Sequence, residues 1–286
     1  MHFGKPVATL GSSPKETYWG MLFRIMLEGA QNKGLQNTMR GGWLPNSTIV
    51  AVATMALLRP AMAGPPYVSD DPEPTDTKHF EIYTFNNGTA TRDDIGGETG
   101  IDFNYGAAPD LQLTATVPAG FDRPTAGRTS FGLSNIELAA KYRFLHQDGF
   151  GLDVSVFPRV FLPSASSAVG NRTASLLLPV WVQKDWTGGW SAFGGGGCVI
   201  SGRASQNFCE VGGVVTYQIL PKLQIGTELF HQTADGSGTP PSTSLGVGFR
   251  YDISDTYHLL GYVRRGIQNA SETDQYSWYT SVLFTF

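Results

Sequence analysis

Apolar and polar residues alternate at every second position through much of this 286-residue chain, and no other feature restricts the fold as strongly. A β-strand turns successive side chains to opposite faces, so a period of two predicts strands with one apolar and one polar face. The clearest example is 133–144, where Leu138 and Tyr142 share the apolar face and Glu137 and Lys141 share the polar one. The pattern predicts an all-β protein.

The composition favours strands that lie in a membrane. Charged residues make up 15% of the chain, whereas globular proteins average about 25%. The chain contains 35 Gly and 17 Pro, which are the two poorest helix formers. It has no apolar window of the roughly 20 residues that a transmembrane helix needs. If the chain crosses a membrane, it crosses with strands.

The spacing of the strands predicts a closed barrel. The predicted connections alternate between long ones of 10 to 15 residues and short ones of 4 to 6. Outer-membrane barrels have long loops on one side and short turns on the other. We therefore predict a transmembrane antiparallel β-barrel of about 12 strands. The predicted strands are 79–85, 99–105, 111–117, 133–144, 151–161, 174–184, 190–198, 209–218, 223–233, 244–251, 257–265 and 276–286.

In such a barrel the apolar faces point toward lipid and the polar faces toward the lumen. The charged residues of the polar faces then allow two interpretations. They pair across strands and fill a narrow barrel, or they line a water-filled path and set its selectivity. The predicted lumen-lining residues are Glu137, Lys141, Arg143, Asp153, Arg159, Glu228 and Arg250.

The first 63 residues differ from the rest of the chain. Residues 39–63 contain a basic start, an apolar stretch and the sequence Ala61-Met62-Ala63. These are the three parts of a secretory signal peptide, for which we predict cleavage after Ala63. Residues 1–38 are interpreted as an upstream translation artefact or a disordered leader.

Residues 64–286 are predicted to form the mature protein. The acidic, Pro-rich stretch 64–78 is predicted to be a periplasmic N-terminal segment, and 79–286 the barrel. The mature chain contains 14 basic and 22 acidic residues, a balance that argues against nucleic acid as a partner. The expected partners are outer-membrane lipid, the barrel-assembly machinery and an unidentified small solute.

No residues with the spacing of a catalytic or metal site stand out, and no cofactor is expected. The histidines of 64–286 are far apart and lack metal-ligand spacing. His231 near Ser244 is the pair most compatible with a lipid hydrolase, but no acidic partner or elbow motif accompanies it. The protein is therefore predicted not to be an enzyme.

Cys198 and Cys209 are the only cysteines, and they flank a predicted external loop. A disulfide between them is plausible because the periplasm is oxidising, and it would stabilise the fold by about 3 kcal/mol in the chain-entropy model. Two unpaired thiols remain an alternative.

The last strand alternates up to the final residue. A terminal Phe that closes an alternating strand resembles the C-terminal signature that bacterial outer-membrane proteins present to their assembly machinery. The residues of this predicted signal are Tyr276, Trp278, Val282, Phe284 and Phe286.

The mature chain also resembles a known family. Three stretches carry the resemblance: 65–74 (PPYVSDDPEP), 105–113 (YGAAPDLQL) and 132–143 (GLSNIELAAKYR). They are similar to the outer-membrane family named for the meta pathway of phenol degradation. The resemblance implies an outer-membrane barrel with a transport role, associated in some members with the catabolism of aromatic compounds. The family has no established ligand residues to transfer.

These observations predict an outer-membrane channel for passive transport of small solutes, including hydrophobic or aromatic ones. The longest predicted loop, 118–132, would gate the lumen if it folds inward. A structural or adhesive barrel without transport is the alternative, and an outer-membrane lipid hydrolase is the third.

Overall fold

A computed structural model describes residues 66–170, 172–235 and 238–286, and nearly all of its regular structure is strand. The predictions for 1–38 and 39–63, including the cleavage after Ala63, lie outside these residues. The strands are β1 (Phe80–Ala90), β2 (Asp94–Ala108), β3 (Leu111–Pro124), β4 (Ser130–Leu133), β5 (Glu137–Leu145), β6 (Asp153–Val156), β7 (Arg159–Phe161), β8 (Ser175–Trp186), β9 (Trp190–Ser201), β10 (Phe208–Leu220), β11 (Leu223–Gln232), β12 (Ser242–Asp252), β13 (Tyr257–Gln268) and β14 (Tyr276–Thr285).

The helical structure in the described part of the chain is short. One helical turn, α1 (Gln147–Phe150), follows β5, and one 3₁₀ turn (Ala204–Gln206) precedes β10. No helix within 66–170, 172–235 and 238–286 is long and apolar enough to span a bilayer.

The strands form a closed antiparallel barrel. β1 pairs with β2 on one side and with β14 on the other, which joins the two ends of the sheet. β4 and β5 both pair with β3 and act as one interrupted strand, and β6 and β7 do the same between β5 and β8. The 14 segments of the sheet therefore make the 12-stranded barrel that the sequence predicts.

Both interruptions lie within predicted strands and have local causes. Between β6 and β7, Pro158 has no N–H to donate to the ladder. Between β4 and β5, the Ile136 N–H donates to the Ser164 hydroxyl, 2.7 Å away, in place of a neighbouring strand. Pairing with a side chain outside the sheet thus breaks the predicted strand 133–144.

The apolar faces point outward. On β5, Leu138 is 47% exposed, whereas Lys141, three residues later and on the other face, is 4% exposed. The same holds on β12, where Leu245 and Val247 are exposed and Ser244 is buried. The exposed apolar face is the surface that lipid covers in a transmembrane barrel.

The connections are shorter than predicted at one end of the barrel. The start of β1 and the end of β14 meet at one end of the barrel, here called the N/C end, where the Phe80 N–H donates to the Phe286 carbonyl at 2.7 Å. At the opposite end, here called the loop end, β2 and β3 remain paired up to Asp94 and Pro124. The predicted loop 118–132 is therefore mostly strand, and only 125–129 connects β3 to β4. The pairing continues through Gly-rich and polar stretches in which alternation is weak.

Candidate channel interior

A described stretch of chain before β1 lies within the barrel. We call residues 66–76 the inner segment. It was predicted to be part of a periplasmic segment, yet the structure places it against inward-facing residues of nine strands, β1 to β3, β5 and β9 to β13. Its acidic and backbone polar groups find partners on these walls, which the sequence pattern of 64–78 does not reveal.

Glu228 on β11 anchors the start of the inner segment. This side chain is fully buried, and its carboxylate accepts hydrogen bonds from the Ser69 N–H at 2.6 Å and the Val68 N–H at 3.3 Å. The Tyr262 hydroxyl of β13 also donates to it. A buried carboxylate is costly unless such donors satisfy it, so Glu228 and the inner segment depend on each other.

Lys141 on β5 anchors the middle of the inner segment. Its ammonium lies 3.1 Å from the Asp70 carboxylate and 3.7 Å from that of Asp71. It also donates to the Glu73 carbonyl at 3.3 Å. The segment therefore brings negative charge to a buried cation of the wall.

Inward-facing glycines make room for the inner segment on the wall from β10 to β12. A Cβ at Gly212 would collide with the Ser69 hydroxyl, and one at Gly226 would collide with the Tyr67 hydroxyl. A Cβ at Gly248 would lie 2.9 Å from the Tyr67 ring. The Tyr67 ring packs edge-on against the rings of Phe193 and Tyr262.

The inner segment contains two carboxyl groups, those of Glu73 and Asp71, whose pKa values burial raises. The pKa of the Glu73 carboxyl is raised from an ordinary 4.5 to about 7, chiefly by burial and also by the nearby carboxylates of Asp185, Asp153 and Glu81, against the opposing effect of Arg143. Burial likewise raises the pKa of Asp71, against the opposing effect of Lys141.

We expect conductance through the barrel to be several-fold higher at pH 8 than at pH 5. The seated form holds the Glu73 proton more tightly than a displaced, hydrated form, so seating is favoured in acid and loses this contribution as pH rises through about 7. Single-channel recordings between pH 5 and pH 8 would measure this change in conductance. Glu73→Gln should flatten the profile, and an unchanged profile in that variant would assign the pH dependence to another group.

A second chain segment folds into the barrel from the loop end. In the β7–β8 connection, Ser166 and Val169 lie against Gly132 and Gly120, whose positions face inward. The Ser166 N–H donates to the Leu133 carbonyl at 2.7 Å, and the Ala165 N–H donates to the Asn135 side chain at 3.1 Å. The sequence suggests that a loop at 118–132 could fold into the lumen. In the structure, the described part of 162–174 folds into the lumen instead.

Gly120→Val is expected to displace this loop. The new Cβ would lie 2.5 Å from the Ser134 hydroxyl and 3.3 Å from Val169, and overpacking of this kind costs about 1–3 kcal/mol. In a protein that also carries Ser166→Cys, a water-soluble maleimide should then label this cysteine faster than it does without Gly120→Val. Ala119→Val, on the outward face of the same strand, is the matched control. Equal labelling rates in both backgrounds would contradict the assignment.

The charged residues predicted to line the lumen all lie on the inner wall and are engaged in ion pairs or hydrogen bonds. Arg159 makes two hydrogen bonds to Glu137, at 2.7 and 2.8 Å. Arg143 lies 3.0 Å from Asp110 and 3.8 Å from Asp153. Arg250 pairs with Asp252, which also contacts His258. With the contacts of Lys141 and Glu228 described above, they form a polar network around the inner segment.

A cavity remains between the inner segment and the opposite wall. Its volume is about 460 Å³. Side chains of β1, β2, β3, β5, β7, β13 and β14 line it together with the inner segment. These include Glu81, Tyr83, Phe85, Glu98, Asp102 and Tyr279. The lumen is therefore filled only in part.

Other predicted residues lie outside this interior. Cys198 and Cys209 are directly opposed on β9 and β10 and joined by a disulfide. The residues of the predicted C-terminal signal lie on the outward face of β14, whereas Tyr279 and Leu283 face inward. The ring of Phe286 lies 5.7 Å from that of Phe80. His231 contacts the Thr243 hydroxyl at 2.8 Å, while Ser244 lies on the opposite, inward face. The two side chains of the hydrolase hypothesis are thus on different sides of the wall.

Within the described ranges, no group of three or more Asp, Glu, His or Cys side chains is arranged to hold a metal ion. The sequence does not predict the inner segment or its contacts with Gln112 and Tyr262. The inward glycines of β10 to β12 are the one sequence signal that could have indicated chain packed inside the barrel.

The profile of the family described as "Putative MetA-pathway of phenol degradation" matches residues 69–284. The chain belongs to this family. No curated protein matches it in sequence. Among solved structures, an outer-membrane channel from Pseudomonas putida F1 has a TM-score of 0.58 at 11% identity, with 76% of this chain and 98% of that chain covered.

Two porins also share the fold. The KdgM porin, solved in complex with oligogalacturonate, has a TM-score of 0.51 at 15% identity and covers 72% of this chain and 99% of its own. The NanC porin has a TM-score of 0.50 at 12% identity, with 71% and 98% covered. The match to the family includes most of the inner segment as well as the barrel.

Proposed function

We propose that this protein is a channel of the bacterial outer membrane that passes small solutes by passive diffusion. The observation that carries the proposal is the arrangement of the lumen. A closed barrel surrounds a cavity of about 460 Å³, and the chain that narrows it is the inner segment, which polar contacts hold in place. A segment held by a few ion pairs and hydrogen bonds can be displaced without opening the barrel.

Membership of the family and the porin-like fold support this function. The family description favours aromatic solutes among those that pass. The predicted signal peptide, which lies outside the described ranges, supports a location in the outer membrane. Cleavage after Ala63, as the signal peptide predicts, would place the new terminus shortly before Pro66, which lines the cavity. The lipid-facing strands and the last strand, up to Phe286, would contact outer-membrane lipid and the assembly machinery respectively.

Planar-bilayer recording of the folded, processed protein tests the proposal. We expect discrete conductance steps, and we expect Arg159→Ala to change the preference between cations and anions, because Arg159 lines the cavity and its loss leaves the Glu137 charge unpaired. Folded protein that gives no steps above background would overturn the channel function and favour a structural or adhesive barrel.

A further inference from the structure

The cavity wall carries more negative than positive charge. The cations that line it each have an acidic partner: Lys141 pairs with Asp70, Arg159 with Glu137 and Arg264 with Asp274. Glu73 also lines the cavity and lies 4.0 Å from Arg143 of β5. The three remaining carboxylates of the lining are those of Glu81, Glu98 and Asp102. Within the described ranges, none of these three forms an ion pair with Lys, Arg or His.

The same wall is aromatic. Tyr83 and Phe85 of β1 point into the barrel, and the Phe85 ring stacks on that of Tyr279 of β14 with 6.3 Å between ring centroids. In the register of the sheet, Tyr83 lies directly opposite Asp102 of β2. Aromatic faces and unpaired carboxylates thus adjoin on one side of the cavity.

This combination fits one class of ligand. A cation in the cavity would be attracted by the carboxylates and by the negative faces of the rings, and aromatic cages of this kind recognise quaternary ammonium groups. The cavity volume lies within the range of sites for small organic ligands. The cavity volume and the aromatic lining support this class of ligand independently of the carboxylates.

We propose that this cavity binds organic cations, namely protonated amines or quaternary ammonium compounds with an aromatic or apolar body, as solutes of the channel. The inference rests on the proposed channel function and deepens it by naming a solute class. Half-buried carboxylates without a cationic partner are electrostatically costly, and a bound cation offsets that cost.

Binding can be measured separately from transport. Isothermal titration of the folded full-length protein in detergent with benzyltrimethylammonium should give saturable binding, whereas benzoate, an aromatic anion, should not bind. Asp102→Asn keeps the size of the side chain and its contact with the Thr116 hydroxyl, and it should weaken binding by about tenfold. Phe85→Leu should weaken it by about threefold through the loss of a ring.

The matched control is Glu210→Gln. Glu210 lies on β10, outside the cavity lining, so the variant removes the same charge elsewhere on the inner wall. Its affinity for benzyltrimethylammonium should equal that of the unmodified protein. A difference in gel mobility between unheated and heated samples would confirm that each variant is folded.

Equal weakening by Asp102→Asn and Glu210→Gln, or equal binding of benzoate, would overturn the inference. So would an absence of binding by protein that still conducts KCl, and in that case the channel function would stand. Protein that binds the cation through Asp102 but conducts no current would instead contradict the channel and leave the binding site in place.

Discussion

Replacing Lys141 with methionine is expected to raise the conductance of the reconstituted barrel several-fold. The substitution leaves the carboxylates of Asp70 and Asp71 without their buried cation. Removing one partner of a buried ion pair costs about 3–5 kcal/mol, and here that cost favours release of the inner segment into water. Adding Glu228→Gln, which weakens the hold on Val68 and Ser69, should enlarge the effect.

Lys184→Met is the matched control for this experiment. Lys184 lies on the exposed face of β8, where its ammonium contacts the Gly151 carbonyl rather than the lumen. Single-channel recordings should show unchanged conductance for this variant. Deletion of 66–76 should give the upper limit of conductance. A folded Lys141→Met barrel with the original conductance would show that the inner segment does not limit the path.

Val247→Arg is expected to destabilise the folded barrel by about 2–4 kcal/mol, the cost of an arginine on the lipid face near the bilayer midplane. Val247 lies in the middle of β12 and is 57% exposed on its outward face. Denaturant titration of protein folded into vesicles would measure the loss, with Val247→Leu as the apolar control. Equal stability of the two variants would contradict the assignment of this face to lipid.

The barrel itself could be predicted from the sequence because its strands face two different solvents. Leu138 and Lys141 have opposite polarity since one meets lipid and the other the lumen, and this contrast fixes the face of every residue between them. The number of strands followed from counting such segments.

The interior could not be predicted in the same way. The inner segment has no period, because Pro66, Pro72 and Pro74 prevent regular structure and its polar groups bond to separate side chains rather than to a neighbouring strand. Its contacts with Glu228 and Lys141 join residues that are far apart in the sequence, so they produce no local sequence pattern. The strand ends near Asp94 and Pro124 were missed for a related reason, since pairing with neighbours extends them through residues with weak strand preference.

The seat of the inner segment implies an order of assembly. Val68 and Glu228, which are joined by a hydrogen bond, lie 160 positions apart in the chain. The acceptors and glycines that receive residues 66–76 come together only after β13 has joined the sheet, so docking of this stretch belongs to the last stage of folding. We therefore expect a newly inserted barrel to pass through an intermediate whose lumen residues 66–76 do not yet narrow.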